Sequence, residues 1–489
     1  MSYLRKTATL LFVMLASGLL TFVCAQRLSV RIEVVPGSQG RLTIEASGPP
    51  SSKWSFPDSY AGVLGLANRV EKFQLLDPQG RELPVRKLAP GQFSSDEPAS
   101  KFKYEIQIAT PARASDAALV SWLDAERGVL MFADFLPVLN ESRANEKTHV
   151  SGQLVLPLGW TAYSTDLKGE GFDIADSDRA TVVLGKSLRS SARLLMTTQF
   201  TFINDREWAF TDDEALDLAM KVLQLHAKVG GEIPCAKSEL LLLPFPQNVF
   251  ANKWSAQSRG CTVTLLMGKV PSKVGALSQL GLALTHELFH FWVPNDLALS
   301  GDYDWFYEGF TMYQAAGAAV RLDLLTFQQL LSAIGDAHTG SSSADFQSVS
   351  LIEASKRRWT TGANTVYSKA MVVAFLYDLN LRSQSKGKRS LDDVYRKLFS
   401  RNIRRSSTAA EADGNTTVIS ALRAELSRPD FVDRFVTQPV TIDLQKELGP
   451  FGLTVETLGL RTHVFVREHL TSRQRDLLKQ LGYNEPRRR

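Results

Sequence analysis

Thr285-His286-Glu287-Leu288-Phe289-His290, followed eighteen positions after its second histidine by Glu308 in Tyr307-Glu308-Gly309-Phe310, decides the reading of this chain. On a helix, residues four apart share a face, so His286 and His290 can present both imidazoles to one metal ion. Glu287 projects from the next position round, close to such an ion without having to ligate it. Two nitrogen ligands, a carboxylate ligand from elsewhere and a free carboxylate to take a proton from water make up the set a zinc hydrolase needs. The chain has 7 histidines in 489 residues, and two of them fall in this one pattern.

The surrounding residues support a helix. Leu277, Leu280, Leu284, Leu288 and Phe291 recur at three- and four-residue spacing, an apolar stripe that faces a core. His286, Glu287 and His290 lie beside that stripe, at a cleft edge. Pro294 limits the helix, because the residue before a proline is steered away from helical geometry. A second helix is expected from about Trp305 through Ala315, carrying Glu308 on its first turns. A histidine pair serving only to pack helices explains neither Glu287 nor the downstream Glu-Gly-Phe. One Zn2+ per chain is therefore expected on His286, His290 and Glu308. Manganese or cobalt would use similar groups, but two imidazoles and a carboxylate suit zinc best.

Residues 1–25 read as a secretory signal: Arg5 and Lys6, an apolar run from Ala8 to Val23, then the small-residue stretch Val23-Cys24-Ala25 before Gln26. No later run of 18 or more apolar residues appears, so no stable membrane anchor is expected after its removal. Bulky Phe22 and Val23 argue against a lipid anchor on Cys24. The expected location is periplasmic or secreted. The formal charge of +5 falls to +3 without Arg5 and Lys6, and much of the excess sits in Arg487-Arg488-Arg489 and around Arg401 to Arg405. Without interleaved aromatics these clusters read as solvated surface, and no nucleic-acid partner is expected. Cys235 and Cys261 remain as an even pair in an oxidising compartment, so one disulfide is expected, with their separation left open. Asn140 and Asn415 head two Asn-x-Ser/Thr sequons.

After the signal, roughly 460 residues exceed one ordinary core. The expected fold class is α+β multidomain: an all-β N-terminal domain, 26–165, then a mainly helical zinc-site domain, 166–455, strand-rich to about 270, and a short appendage, 456–489. Alternating runs such as Leu28-Ser-Val-Arg-Ile-Glu-Val mark the first part. Helices are expected over 214–229, 274–293, 305–320, 325–334 and 366–381. Strands Leu240-Leu-Leu-Leu-Pro and Thr262-Val-Thr-Leu-Leu-Met precede the motif helix. Gly340 to Ala344 and Ser406 to Thr417 read as exposed loops, and no internal repeat is present.

With these residues in view, the chain resembles the glycyl aminopeptidase family, metallopeptidase family 61, in the gluzincin superfamily that shares a thermolysin-like catalytic domain. Trp54-Ser-Phe-Pro-Asp-Ser-Tyr60 followed by Val70-Glu-Lys-Phe-Gln-Leu-Leu-Asp-Pro-Gln-Gly80 is similar to that family's N-terminal signature. Tyr367-Ser-Lys-Ala-Met-Val-Val-Ala-Phe-Leu-Tyr-Asp-Leu-Asn-Leu-Arg382 with Ser390-Leu-Asp-Asp-Val-Tyr-Arg396 resembles its helix pair. Asp430-Phe-Val-Asp-Arg-Phe-Val436 through Gly449-Pro-Phe-Gly-Leu453 resembles the end of its catalytic region. The likeness covers most of residues 28 to 455. It implies a metallopeptidase acting on peptide or protein substrates, with Glu287 as general base and Tyr367 as the phenol that stabilises the oxyanion, and with the signal segment an exported one.

Two departures from the family stand out. Its Gly-Gly-Leu-Glu-His-like segment, whose glutamate is expected to grip the substrate's free α-amine, corresponds here to Ala256-Gln-Ser-Arg-Gly-Cys261. Gln257 and Ser258 are poor partners for an ammonium, and Arg259 would repel one or favour acidic substrates if turned inward. The second departure is at the C-terminus, where Thr454 to Arg489 reads as a short appendage with a helix from Ser472 to Leu481, not the peptide-binding PDZ domain of many members. The first expectation is an aminopeptidase. An endopeptidase, or a peptidase of altered specificity, is the alternative, and a catalytically silent binding protein is the second. The sequence sets neither the substrate nor the oligomeric state.

Overall fold

The computed structural model describes residues 26–35, 40–139, 148–342, 349–403, 411–428 and 430–484. The signal segment with Cys24, the Asn140 sequon, residues 406–410 and the terminal arginines lie outside these residues. Among the described residues no helix is long and apolar enough to cross a membrane.

The N-terminal part is all β. Leu28, Val30 and Ile32 alternate with outward residues along Gln26–Val34, as the period of two requires. This strand pairs antiparallel with Arg41–Ser55 and parallel with Thr148–Val155, inside a ten-stranded sheet. A four-stranded sheet built on Arg127–Met131 and Thr181–Gly185 packs against it. The shared core reaches Val182 and Leu184, so the β-rich part runs past the boundary of 165 expected from sequence.

The second part begins with a five-stranded sheet in the order Arg189–Leu195, Thr198–Asn204, Lys237–Pro244, Thr262–Met267, Trp254–Arg259. The unbroken apolar run Leu240 to Leu243 has its explanation here. Leu240 and Leu242 point into the helical core, while Leu241 and Leu243 pack on Trp122, Val129 and Val183 of the β-rich part. A strand covered on both faces has no solvent side to alternate towards. Helices follow over Asp212–Gly230, Lys273–Glu287, Thr311–Arg321, Phe327–Ser341 and Ala370–Gln384. Capping boxes at Thr211/Glu214 and Thr326/Gln329 start two of them, and Ser272 caps the motif helix. The α+β, two-part class expected from sequence is the observed one.

Several details differ. The motif helix is α-helical only to Glu287, and Leu288–Phe291 tightens into a 3-10 turn that carries His290. Glu308 lies on a wide π turn, Trp305–Phe310, with α geometry resuming at Thr311. Gly340 and Ser341 are the end of a helix, not a loop. Residues 414–417, also expected as loop, open the helix Gly414–Glu425 because the Asp413 carboxylate accepts from Thr416 N at 2.7 Å. Asn415 is built into the core's edge: its Oδ1 accepts from Trp305 Nε1 at 2.8 Å and its Nδ2 donates to Asp302 O at 2.9 Å. Cys235 and Cys261 form a disulfide, with Cα atoms 5.9 Å apart. The appendage is a hairpin, Leu453–Leu458 with Arg461–Val466, laid on Phe327–Ser341, then a helix over Ser472–Lys479.

A buried carboxyl sits where the two parts meet. Glu239, 5% exposed, accepts from Thr262 Oγ1 at 3.4 Å and from the backbone of Thr165, with Asp166 nearby. Burial pushes its carboxyl up from 4.5 to about 7. Across that window the folded protein keeps a proton that the unfolded chain releases, so this group makes stability fall as pH rises. Glu239→Gln is expected to raise stability at pH 8 by about 3 kcal/mol relative to its effect at pH 4. Thermal melts at both pH values check it, and equal shifts at the two would count against a buried proton at this position.

Candidate metal centre and cleft

His286, near the end of the motif helix, and His290, on the 3-10 turn after it, bring their Nε2 atoms to 3.0 Å. The π turn brings Glu308 Oε2 to 3.3 Å from His286 Nε2 and 3.6 Å from His290 Nε2. One tetrahedral ion holding such donors at about 2.0–2.2 Å sets them roughly 3.3–3.6 Å apart, which both imidazole–carboxylate distances match, and the closer imidazole pair needs only a small opening to take zinc. His290 Nδ1 lies 2.7 Å from Val293 O, a contact that requires the proton on Nδ1 and leaves the Nε2 lone pair facing the centre. All three ligands are buried. Burial opposes a charge on Glu308, yet Arg358 above all, then His290, hold its carboxyl well below the usual range. Burial also opposes a charge on His290, but Glu308 pushes it up to about 9. The cluster thus favours positive charge at its middle, the electrostatics of a cation site.

Glycine at 309 is what lets the ligand turn sit here. A Cβ at that position would collide with Val366 O and Ala370 Cβ, so only glycine allows the Glu308 turn to press against the segment carrying Tyr367. That segment, Thr365–Lys369, is itself a π turn, and so is Arg358–Gly362. Three π turns therefore deliver Tyr307 and Glu308, Arg358 and Tyr367 to a single cleft.

The cleft, about 540 Å³, is lined by the three ligands, Glu287, Tyr367, Gln257 and Ser258, with Trp254, Met312 and Trp359 supplying apolar surface. Leu119 of the β-rich part closes one side, and Gly62 backs Trp359 so closely that a Cβ there would sit 3.0 Å from the indole. Glu287 is the free carboxylate. Ser258 Oγ lies 2.9 Å from its Oε2 and 2.7 Å from its main-chain oxygen, which fixes the side chain beside the metal ligands.

Ser258 therefore belongs to the base, where the sequence suggested substrate contact. Gln257 lines the cleft, but Arg259 does not. Its guanidinium lies 4.2 Å from the Tyr60 ring and donates to Leu119 O, buried at the seam between the two parts. The expectation that Arg259 contacts substrate is corrected accordingly.

Sequence reasoning missed Arg358. It ends the basic run Lys356-Arg357-Arg358, whose first two side chains are exposed. Arg358 instead turns inward: Nη2 donates to Glu308 Oε1 at 2.7 Å and to Tyr367 Oη at 2.6 Å, and Nη1 to Asp304 Oδ1 at 2.9 Å. A lone arginine offers no periodic signal that would have found it.

No family profile matches this sequence, and no curated protein does. Solved structures resemble it in three dimensions. A crystal structure of an aminopeptidase N family protein from Idiomarina loihiensis, 16% identical, superposes with a TM-score of 0.74 over 88% of this chain and 79% of that one. An M1 zinc metallopeptidase mutant from Deinococcus radiodurans, bound to a Tyr-Ser-Ala substrate, is 11% identical, with a TM-score of 0.52 over 83% of this chain and 92% of that one. A two-domain M1 zinc metallopeptidase mutant bound to L-tryptophan is 12% identical, with a TM-score of 0.51 and the same coverage. At these identities the likeness is one of fold: the chain has the architecture of aminopeptidase N-type zinc metallopeptidases.

Proposed function

We propose that the protein is a zinc-dependent peptidase with one ion per chain on His286, His290 and Glu308. The observation that carries this reading is the convergence of three buried donors, two imidazoles and a carboxylate, with an oriented second carboxylate beside them in one cleft. Zinc, when bound, supplies a Lewis acid that polarises a carbonyl and acidifies water. The remaining steps belong to the chain. Glu287 takes a proton from the attacking water as the C–O bond forms. It then passes that proton to the amine nitrogen as the C–N bond breaks. Tyr367 donates a hydrogen bond to the carbonyl oxygen where negative charge develops. The aminopeptidase N-type architecture and the M1 neighbours that bind a tripeptide or an amino acid support peptides as the substrate class. The signal-like residues 1–25 and the disulfide support export to the periplasm or medium.

Aminopeptidase action is the first specificity to test, and one observation favours a second. Among the described residues the only carboxylates lining the cleft are Glu287 and Glu308, both already assigned, and the stretch Ala256 to Cys261, where an amine-gripping glutamate is expected, holds none. An α-ammonium would gain no ion pair from this lining. We therefore expect a peptide and its N-acetylated form to be cleaved at rates within about tenfold, since a buried charge pair is worth more than that. Loss of cleavage on acetylation would return the reading to an aminopeptidase. The function as a whole is tested by metal analysis and by hydrolysis of a peptide library before and after chelation. Stoichiometric zinc without hydrolysis would identify a binding protein instead.

A further inference from the structure

Two tyrosines, Tyr307 and Tyr367, face the same cleft, and one side chain touches both phenols. Arg358, whose side chain is 11% exposed, reaches Tyr367 Oη at 2.6 Å through Nη2 and Tyr307 Oη at 3.1 Å through Nη1. The guanidinium is donor only, so both phenol oxygens accept from it and neither phenol proton can point back at it. Tyr307 donates its own proton to Asp304 Oδ1, 2.5 Å away. Tyr367 has no such acceptor among the described residues, and its proton is left for whatever enters the cleft. The same Nη2 donates to Glu308 Oε1 at 2.7 Å, so Oε2 is the oxygen left for the two imidazoles. Asp304 holds the other arm of the fork at 2.9 Å, and the Trp359 ring lies 4.2 Å from the guanidinium carbon, so the group is fixed on three sides.

We propose that Arg358 is a positioning residue with two linked effects: it makes Glu308 a one-oxygen ligand, and it makes Tyr367, not Tyr307, the hydrogen-bond donor to the substrate carbonyl. The second effect rests on the peptidase reading, and the first requires only a metal. A lysine could not perform both, because a compact ammonium has no planar fork to span Glu308, Tyr367 and Asp304 together.

The test uses the full chain with Arg358→Lys, Tyr367→Phe and the double variant. Zinc affinity is measured by competition with a chelator, and kcat and KM at saturating zinc. Arg358→Lys is expected to weaken zinc binding and, separately, to lower kcat, each by about 10- to 100-fold, with KM close to the parent's. In the Tyr367→Phe background the kcat effect of Arg358→Lys should largely vanish, because the proton it directs is gone. Parent-like zinc affinity would overturn the first effect, and kcat losses that multiply in the double variant would overturn the second. If the parent hydrolyses nothing, the peptidase reading fails on its own while zinc affinity still judges the link from Arg358 to Glu308. Should Arg358→Lys fail to fold, a crystal structure of the zinc-loaded parent with a phosphonate peptide decides. Glu308 bound through Oε2 alone, with Tyr367 Oη between Arg358 and the phosphonate oxygen, is expected. A bidentate Glu308 or a Tyr367 turned from the phosphonate would overturn the proposal.

Discussion

Glu287→Gln is expected to lower kcat by about 10³- to 10⁴-fold while the protein keeps one zinc per chain. The amide matches the carboxylate in size and still accepts from Ser258 Oγ, which lies 2.9 Å from Oε2 in the parent. What it cannot do is take the proton of the attacking water. His286, His290 and Glu308 are untouched, so metal affinity and thermal stability should stay close to the parent's. Metal analysis and steady-state kinetics on the two proteins side by side check this. Hydrolysis within tenfold of the parent would remove Glu287 from the base role, and loss of zinc would mean that it holds the metal site together.

Tyr367→Phe is expected to lower kcat by about 10²- to 10³-fold with KM little changed, the size of effect seen when one oxyanion donor is removed. Its hydroxyl serves the transition state, where charge reaches the carbonyl oxygen, more than the bound substrate. Arg358 keeps Glu308, Asp304 and Tyr307 as acceptors, so removing one phenol oxygen does not strand its charge. A peptide phosphonate, which mimics the tetrahedral state, should lose affinity by a factor similar to the loss in kcat. Equal losses for substrate and phosphonate would place Tyr367 in ground-state binding.

The cluster of His286, His290 and Glu308 was legible in the sequence because few residue types bind zinc and their spacing on a helix is diagnostic. The two-part architecture was legible for a different reason, the change from alternating to helical periodicity near Asp212. The π turns were not. They carry the same apolar residues as an α-helix would, so Trp305 to Phe310 reads as ordinary helix until the backbone is seen. Arg259, a substrate contact only if turned inward, sits at the seam, and Arg358, which no motif singled out, sits on Glu308. Whether a lone arginine is buried depends on partners far along the chain, here Leu119 for one and Asp304 and Glu308 for the other, and local sequence holds no record of them.

The three π turns make length itself part of the chemistry. A π turn amounts to one residue inserted into a helix. Removing a residue from 305–310 would restore regular winding and rotate the downstream helix by about 100°. Glu308 and the helix behind it could not then both keep their places. Single-residue deletions in 305–310, 358–362 or 365–369 should therefore be far less tolerated than most point substitutions in the same turns, and the eighteen-residue interval from His290 to Glu308 is a ruler that cannot shorten by one.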